Sequence, residues 1–405
     1  MTIKVAQIST SNRGGAAIAA QQISQLLNRS DVECTLITRN DLNDLEYSGV
    51  RKIVRSLLGK LLTIFQSLTT ISPFGIATPI SISNIDVGKL IRRNFDVIHV
   101  HNWYNILSIN DLQHLSKKVP LVFTMHDERL ITGGCHITLG CDRFITSCND
   151  CPAVRNKSSI KISKSQMKKF FNQSNNLSVI SPSQWIIDQI KRSGLNENLI
   201  SLAHIPNFVS AEYLPPMNIV DRDIISHKLL FISANLAAEV KGLAILLEAL
   251  ELLTDRASPY FTPDIELHVV GEGNLPMYNA SNLRIIQHGF QTESRVREII
   301  SDSNFLIVPS LSENSPYVIV EAQLIGLPVI ASNVAGIPEL IEDSVTGFLS
   351  PLDSESMART LIRAISSPVI AEISSKARRD ALIRNDAFSI SQAHLEVYRK
   401  ALSAK

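Results

Sequence analysis

The chain has 405 residues, with 39 Lys+Arg against 38 Asp+Glu, so its net charge at pH 7 is +1. Hydrophobic residues make up 45% and charged residues 19%, the balance of a soluble globular protein long enough for two or three domains. No stretch approaches the roughly 18 uninterrupted apolar residues of a membrane-crossing helix. The amino end, MTIKVAQIST, enters a strand without a signal-peptide pattern, and a cytoplasmic location is expected. The charge is unevenly spread. Residues 1–210 hold 23 Lys+Arg against 14 Asp+Glu, and residues 211–405 hold 16 against 24. A basic half of this kind faces an anionic partner, such as a membrane surface or a phosphate-bearing molecule. Nucleic acid is not expected, because basic residues and aromatics are not interleaved and no recognition motif is present.

In chain order, Ile3 to Ser9 reads as a buried strand, followed by a loop with Gly14 and Gly15 and an Ala-rich helix from about Ala16 to Asn28. Glycines before a helix let a ligand approach free backbone N–H groups, or else serve only a tight turn. Cys34 to Thr38 is the second strand, with Cys34 a core thiol. Arg51 to Leu68 places Val54, Leu58, Leu61, Phe65 and Leu68 at helical spacing, with Arg51, Lys52, Arg55 and Lys60 interspersed. Such a basic amphipathic helix either lies on an anionic bilayer or packs on its own domain. Ile71 to Ile82 reads as an irregular connection.

Asp96 to His101 alternates so that His99 and His101 share one face, and Pro120 to His126 is a strand ending at His126. His99 reads as structural. A His at the carboxyl end of a parallel strand stands near the crevice where such sheets bind ligands. An insert at residues 133–152 then carries Cys135, Cys141, Cys148 and Cys151. The C-x5-C-x6-C-x2-C spacing suits tetrahedral structural zinc, with His136 a spare ligand; free or disulfide-paired thiols are the alternatives. Lys157 to Phe170 is basic and helical in its later part. Leu177 to Ser183 is a strand, with Ser181-Pro182-Ser183 capping a helix from Gln184, and Pro215-Pro216 mark a stiff linker near a domain boundary at about residue 212.

The second half restarts the alternation with a strand at Leu229 to Asn235, then Val240-Lys241-Gly242 and a helix from Leu243 to Leu253. A Lys at a helix start can hold a diphosphate. Ile265 to Val270 is a strand before a Gly271-Glu272-Gly273 turn, and Leu283 to Phe290 another. Phe305 to Leu311 is an apolar strand leading to Glu313. Pro316 suits a helix start, which puts Glu313 on the turn and Glu321 about two helical turns in. A buried strand, Leu327 to Ala331, and a small-residue loop with Gly336, Ile337, Pro338 and Glu339 follow. Ala387 to Leu402 reads as an amphipathic helix with Phe388, Leu395 and Tyr398 on its apolar side.

The E-x7-E pair Glu313 and Glu321, Gly326-Leu327-Pro328-Val329, Ala335 to Glu339, Thr346-Gly347-Phe348, Lys241-Gly242 and Gly271-Glu272-Gly273 occur in one order. Together they resemble the donor-binding half of glycosyltransferase family 4. The resemblance implies an α/β protein of GT-B architecture: two Rossmann-like doubly wound domains, residues 1–211 and 212–386, facing across a cleft. A helix at residues 387–405 would cross back to the first. It implies a retaining enzyme acting on a UDP- or GDP-linked sugar, with a glycan or lipid-linked acceptor and no metal needed for catalysis. Glu313, His126 and Lys241 would be catalytic. Gly14, Gly15, Lys241, Glu313, Glu321, Gly336, Ile337 and Pro338 would hold the donor, Glu321 at the ribose and Glu313 and His126 at the sugar. The cysteine insert is similar to one in a subset used for surface polysaccharides, which would place the chain in the cytoplasm or at the inner membrane face. One departure is plain: the family often pairs this Lys with an Arg, whereas Ala234-Asn235 and Val240 stand here, leaving Arg13 as a substitute. A non-catalytic scaffold or a sugar-nucleotide epimerase are the alternative readings.

Overall fold

Short aliphatic runs ending at Gly, Pro or polar turns become strands buried on both faces, as a parallel sheet covered by helices requires. A computed structural model describes residues 2–11, 14–40, 42–71, 77–210, 227–262, 265–275 and 283–404. They divide into two units, Met1–Phe208 with Asp386–Lys405, and Val209–Asn385. The expected boundary at residue 212, the Pro215-Pro216 linker and Arg13 lie outside the described residues.

The first unit holds β1 (Ile3–Ser9), β2 (Val32–Thr38), β3 (Val97–Val100), β4 (Leu121–Thr124), β5 (Leu177–Ser181) and β6 (Ser201–His204). They form one parallel sheet in the order β2-β1-β3-β4-β5-β6. Its helices are α1 (Gly15–Leu27), α2 (Val50–Thr69), α3 (Val87–Arg92), α4 (Ile109–Ser116), α5 (Lys157–Gln173) and α6 (Gln184–Arg192). Ser183 caps α6, its hydroxyl accepting from the Ile186 amide at 3.2 Å. Alternation along the strands feeds two cores. Ala6, Ile98, Leu121 and Val179 pack into one, and Val5, Val97, Val122 and Ile180 into the other.

The second unit holds β7 (His227–Asn235), β8 (Ile265–Glu272), β9 (Arg284–Gly289), β10 (Phe305–Val308), β11 (Val329–Ser332) and β12 (Phe348–Ser350). The order β12-β11-β10-β7-β8-β9 is also all parallel. The chain therefore reverses its direction of travel at the β7/β10 junction, the crevice where doubly wound sheets bind ligands. Its helices are α7 (Leu243–Thr254), α8 (Glu293–Asp302), α9 (Tyr317–Ile325), α10 (Ser354–Ile365) and α11 (Ile370–Arg384).

The last helix, α12 (Ala387–Ser403), belongs to the first unit. Ile390, Leu395, Val397 and Tyr398 enter the second of its two cores. Tyr398 is fully buried; its hydroxyl meets His99 Nδ1 at 2.7 Å and accepts from Gln7 Nε2 at 3.2 Å. Phe388, expected on the apolar side, is instead 73% exposed at the helix start.

Three other expectations shift. α5 is helical from Lys157 onward, with Asn156 as its cap. β8 continues through Glu272, so Gly271 lies within the strand. α9 begins at Tyr317 with Pro316 as its N-cap residue, so Glu321 is its fifth residue, little more than one turn in. Replacing Tyr398 by Phe strips partners from buried His99 and Gln7. The loss should lower unfolding stability by about 1–3 kcal/mol in urea titration; an unchanged midpoint would show that the hydroxyl is not needed there.

Candidate active site

In the second unit, three loops meet at the carboxyl ends of β7, β10 and β11. After β7, a single 3-10 turn, Glu239–Lys241, hands over to α7 through Gly242 at φ +71°. A Cβ at Gly242 would stand 1.8 Å from the Pro309 carbonyl oxygen, so only glycine lets the two loops pass. The Leu311 amide donates to the Val240 carbonyl at 2.8 Å, and the Gly336 amide to the Glu313 carbonyl at 2.9 Å. These contacts bring Lys241 and Glu313 together: Lys241 Nζ donates to Glu313 Oε1 at 2.5 Å, and the Ser310 hydroxyl reaches the same oxygen at 3.2 Å. The Glu313 side chain is 17% exposed and that of Lys241 36%, so the pair is sheltered yet open to a ligand.

The Gly336 to Glu339 segment, expected to help hold the donor, does not open an α-helix. It is one 3-10 turn, Ile337–Glu339. The amides of Gly336, Ile337 and Glu339 already donate to Glu313, Val334 and Gly336, and Pro338 has none. Its small residues set the loop against Glu313 instead of offering a row of free donors.

Glu321 lies within α9. Its charged neighbours are Glu293 and Arg297 of α8. Among the described residues, no hydrogen bond or ion pair joins it to the Lys241–Glu313 pair. Burial, with a smaller push from Glu293, raises its carboxyl to about 7. The folded carboxyl therefore holds its proton to higher pH than the unfolded one. The sign follows: below about pH 4.5 both states are protonated, and as pH rises toward 7 and above, the buried charge costs stability.

The first unit carries a separate cluster. A small pocket at the ends of β3 and β4 is lined by His101, Asn102, His126, Asp127 and Arg129 among others. His126 Nε2 lies 3.0 Å from His101 Nδ1, and His101 Nε2 lies 2.7 Å from Gln7 Oε1. With Gln7 Nε2 donating to Tyr398, its Oε1 accepts from His101 Nε2–H. His101 Nδ1 is then the acceptor for His126 Nε2–H, which leaves His126 Nδ1 as the lone-pair nitrogen. Burial, opposed weakly by Asp127, lowers His126 to about 4, and burial also holds His101 and His99 well below their ordinary range. These are neutral hydrogen-bonding rings near pH 7. His99 is satisfied by Tyr398 and by Thr124 at 2.7 Å, in keeping with a structural residue.

Arg129 was not singled out by its sequence context. Its guanidinium is 11% exposed, pairs with Asp127 at 3.3 Å and donates to Asn102 at 3.3 Å. Its Nε is buried and has no partner among the described residues. A charged residue two positions after a strand-end His–Asp pair is the only signal that could have marked it. Gly14, at φ +88°, precedes α1, and open space lies beside both Gly14 and Gly15 among the described residues.

The four insert cysteines line one cavity with Thr132, Thr138 and Phe144, and none is in a disulfide. Cys135 and Cys151 hydrogen-bond to each other, and Gly133 N–H serves Cys148. No set of three or more His, Cys, Asp or Glu side chains stands ready to hold a metal among the described residues. The loop is also tied by Glu128, whose carboxylate accepts from the Thr138 amide at 2.7 Å and hydroxyl at 2.8 Å.

Glu321→Gln should remove the cost of the buried charge. At pH 8 the variant should be more stable than wild type by about 2–3 kcal/mol, the gap fading toward pH 5. Thermal unfolding across that range checks it, and a gap independent of pH would contradict it.

Residues 13–213 match the family model described as Glycosyltransferase Family 4, and residues 226–367 match Glycosyl transferases group 1. The chain is 26% identical over 307 residues, 70% of its length and 71% of the other, to the putative colanic acid biosynthesis glycosyl transferase WcaC of Escherichia coli K12. It is 29% identical over 130 residues, 29% of its length and 32% of the other, to an Escherichia coli UDP-Gal:alpha-D-GlcNAc-diphosphoundecaprenol alpha-1,3-galactosyltransferase. Anabaena Alr3699/HepE, solved with UDP-glucose, superposes with a TM-score of 0.62 at 18% identity over 97% of this chain and 98% of that one, a likeness of fold. The two matched segments and the two parallel six-stranded sheets lead to one conclusion: the chain is a family 4 glycosyltransferase with the GT-B fold.

Proposed function

We propose that the chain is a retaining glycosyltransferase that moves a sugar from a UDP-sugar to a lipid-linked glycan during surface polysaccharide assembly. The observation that carries the reading is the Lys241–Glu313 contact at the β7/β10 crevice. Breaking the sugar–phosphate bond leaves a nucleoside diphosphate, and stabilising that charge is usually the largest catalytic term. Lys241 supplies a compact cation for the leaving phosphate, and Glu313 a carboxylate for a sugar hydroxyl once the ligand parts the pair. The bond from the anomeric carbon to phosphate breaks, the bond to the acceptor oxygen forms, and the acceptor proton passes to the leaving phosphate. His126, neutral near pH 7, acts as a hydrogen-bond partner of the sugar and not as an acid. Glu321 remains proposed for the ribose, and Gly14 and Gly15 for close backbone approach to the donor.

A UDP donor is favoured over a GDP one by the HepE complex with UDP-glucose and by the UDP-Gal named for the galactosyltransferase. The lipid-linked acceptor follows the diphosphoundecaprenol in the latter name, and polysaccharide assembly follows WcaC. We extend the proposal to the inner membrane face, where such an acceptor would be met.

Thermal-shift screening of UDP- and GDP-sugars identifies the donor, since a ligand that binds the folded state raises its stability by mass action. In transfer assays with that donor, Lys241→Ala and Glu313→Ala should each lower turnover about 100-fold or more. Retained turnover in a folded Glu313→Ala protein would remove this carboxylate from the mechanism. A structural zinc in the cysteine insert also remains a proposal. Metal analysis of the purified protein decides it: about one zinc per chain supports it, and fewer than about 0.2 ends it.

A further inference from the structure

α2 is built the wrong way round for a helix that packs on its own domain. Only Gly59 and Gln66 of its 20 residues are buried. Its inward face is polar. Arg55 donates to the Ser83 carbonyl at 3.0 Å and lies over the Tyr47 ring, and Asn105 donates to the Thr63 hydroxyl at 3.2 Å. Gln66 Nε2 reaches the Ile80 carbonyl at 3.3 Å and Tyr104 Oη at 3.2 Å. Arg55, Gly59, Thr63 and Gln66 are spaced 4, 4 and 3 residues apart, the rhythm of one helix face.

The opposite face is apolar and open. Ile53, Leu57, Leu61, Ile64, Phe65 and Leu68 are each at least half exposed. A water-facing helix normally shows the reverse, and a contiguous apolar face of this size marks a contact surface. The helix contains no acidic residue, and Arg51 and Lys60 stand exposed beside the apolar face. Its end is fixed to the chain: the Ile71 amide donates to the Ala153 carbonyl at 2.8 Å, and the Arg155 amide to the Thr69 carbonyl at 2.9 Å. No helix among the described residues is long and apolar enough to cross a membrane.

We infer that α2 is a membrane-docking helix whose outer face beds into an anionic phospholipid surface. The occupant is fixed by the combination. An apolar face about 24 Å long, from Ile53 to Leu68, takes up acyl chains, while Arg51 and Lys60 at its margin, without an ion pair among the described residues, meet lipid phosphates. The surplus of positive charge in residues 1–210 has the same sign. This rests on the lipid-linked acceptor proposed above and names the surface at which it is met. Lys52 and Arg55, expected to serve the lipid, are already taken by Glu46 and by Ser83 and Tyr47, so Arg51 and Lys60 carry the charge.

The test is flotation of the full chain with phosphatidylglycerol vesicles and with phosphatidylcholine vesicles. Wild type should float with the anionic vesicles and largely stay behind with the neutral ones. Leu57→Gln with Leu61→Gln, and separately Arg51→Glu with Lys60→Glu, should each cut the floated fraction about fivefold or more. All four positions are exposed, so folding is preserved, and UDP-sugar hydrolysis measured in parallel should be unchanged. That hydrolysis reports on the enzyme independently: its loss in wild type would count against the donor reading without touching the membrane one. Equal binding of both Gln replacements and wild type would overturn the inference. A lipid-free dimer in sedimentation, dissolved by the same Gln replacements, would assign the face to a second copy of this chain instead.

Discussion

The second unit depends on one close approach. Gly242 passes the Pro309 carbonyl at a distance no side chain tolerates, and this crossing sits where the sheet's strand order reverses. Everything nearby follows from it. The Val240–Leu311 bond registers the two loops, Gly336 anchors the third loop to Glu313, and Lys241 arrives beside the carboxylate. On the function proposed above, a diphosphate takes the lysine and a sugar hydroxyl the glutamate of this sheltered pair.

The first unit solves a different problem, how to keep imidazoles neutral and oriented inside a protein. Gln7, His101 and His126 form a chain of hydrogen bonds that begins at Tyr398 on the last helix. Burial removes the charge, and the amide of Gln7 sets which nitrogen of each ring carries hydrogen. The carboxyl-terminal helix thus contributes to the pocket chemically as well as by filling the core. Arg129, its buried Nε without a partner among the described residues, adds a cation to the lining of that pocket.

Much of this was legible in the sequence because it is local. Strand and helix runs, the placing of His126 just past the end of β4 (which stops at Thr124, two residues earlier than expected) and the order of the Lys241, Glu313 and Gly336 segments depend on short-range pattern and spacing. What was not legible is long-range. Nothing near Gly336 says that its amide is spent on Glu313, 23 residues earlier in the sequence. Nothing near Glu321 says that α8 supplies its charged neighbours. The periodicity of residues 50–69 announced an amphipathic helix, but which face turns inward depends on Ser83, Tyr104 and Asn105, far along the chain. The cysteine spacing suggested a coordination sphere; that all four thiols would line one cavity, with Cys135 bonded to Cys151, depends on how the insert folds back on itself.

The most direct measurement is a crystal structure of the protein with UDP bound. The account predicts the diphosphate within hydrogen-bond distance of Lys241 Nζ, with Glu313 released from the lysine and the Gly242–Pro309 crossing unchanged. A nucleotide seated away from the β7/β10 crevice, with the Lys241–Glu313 pair still closed, would contradict it.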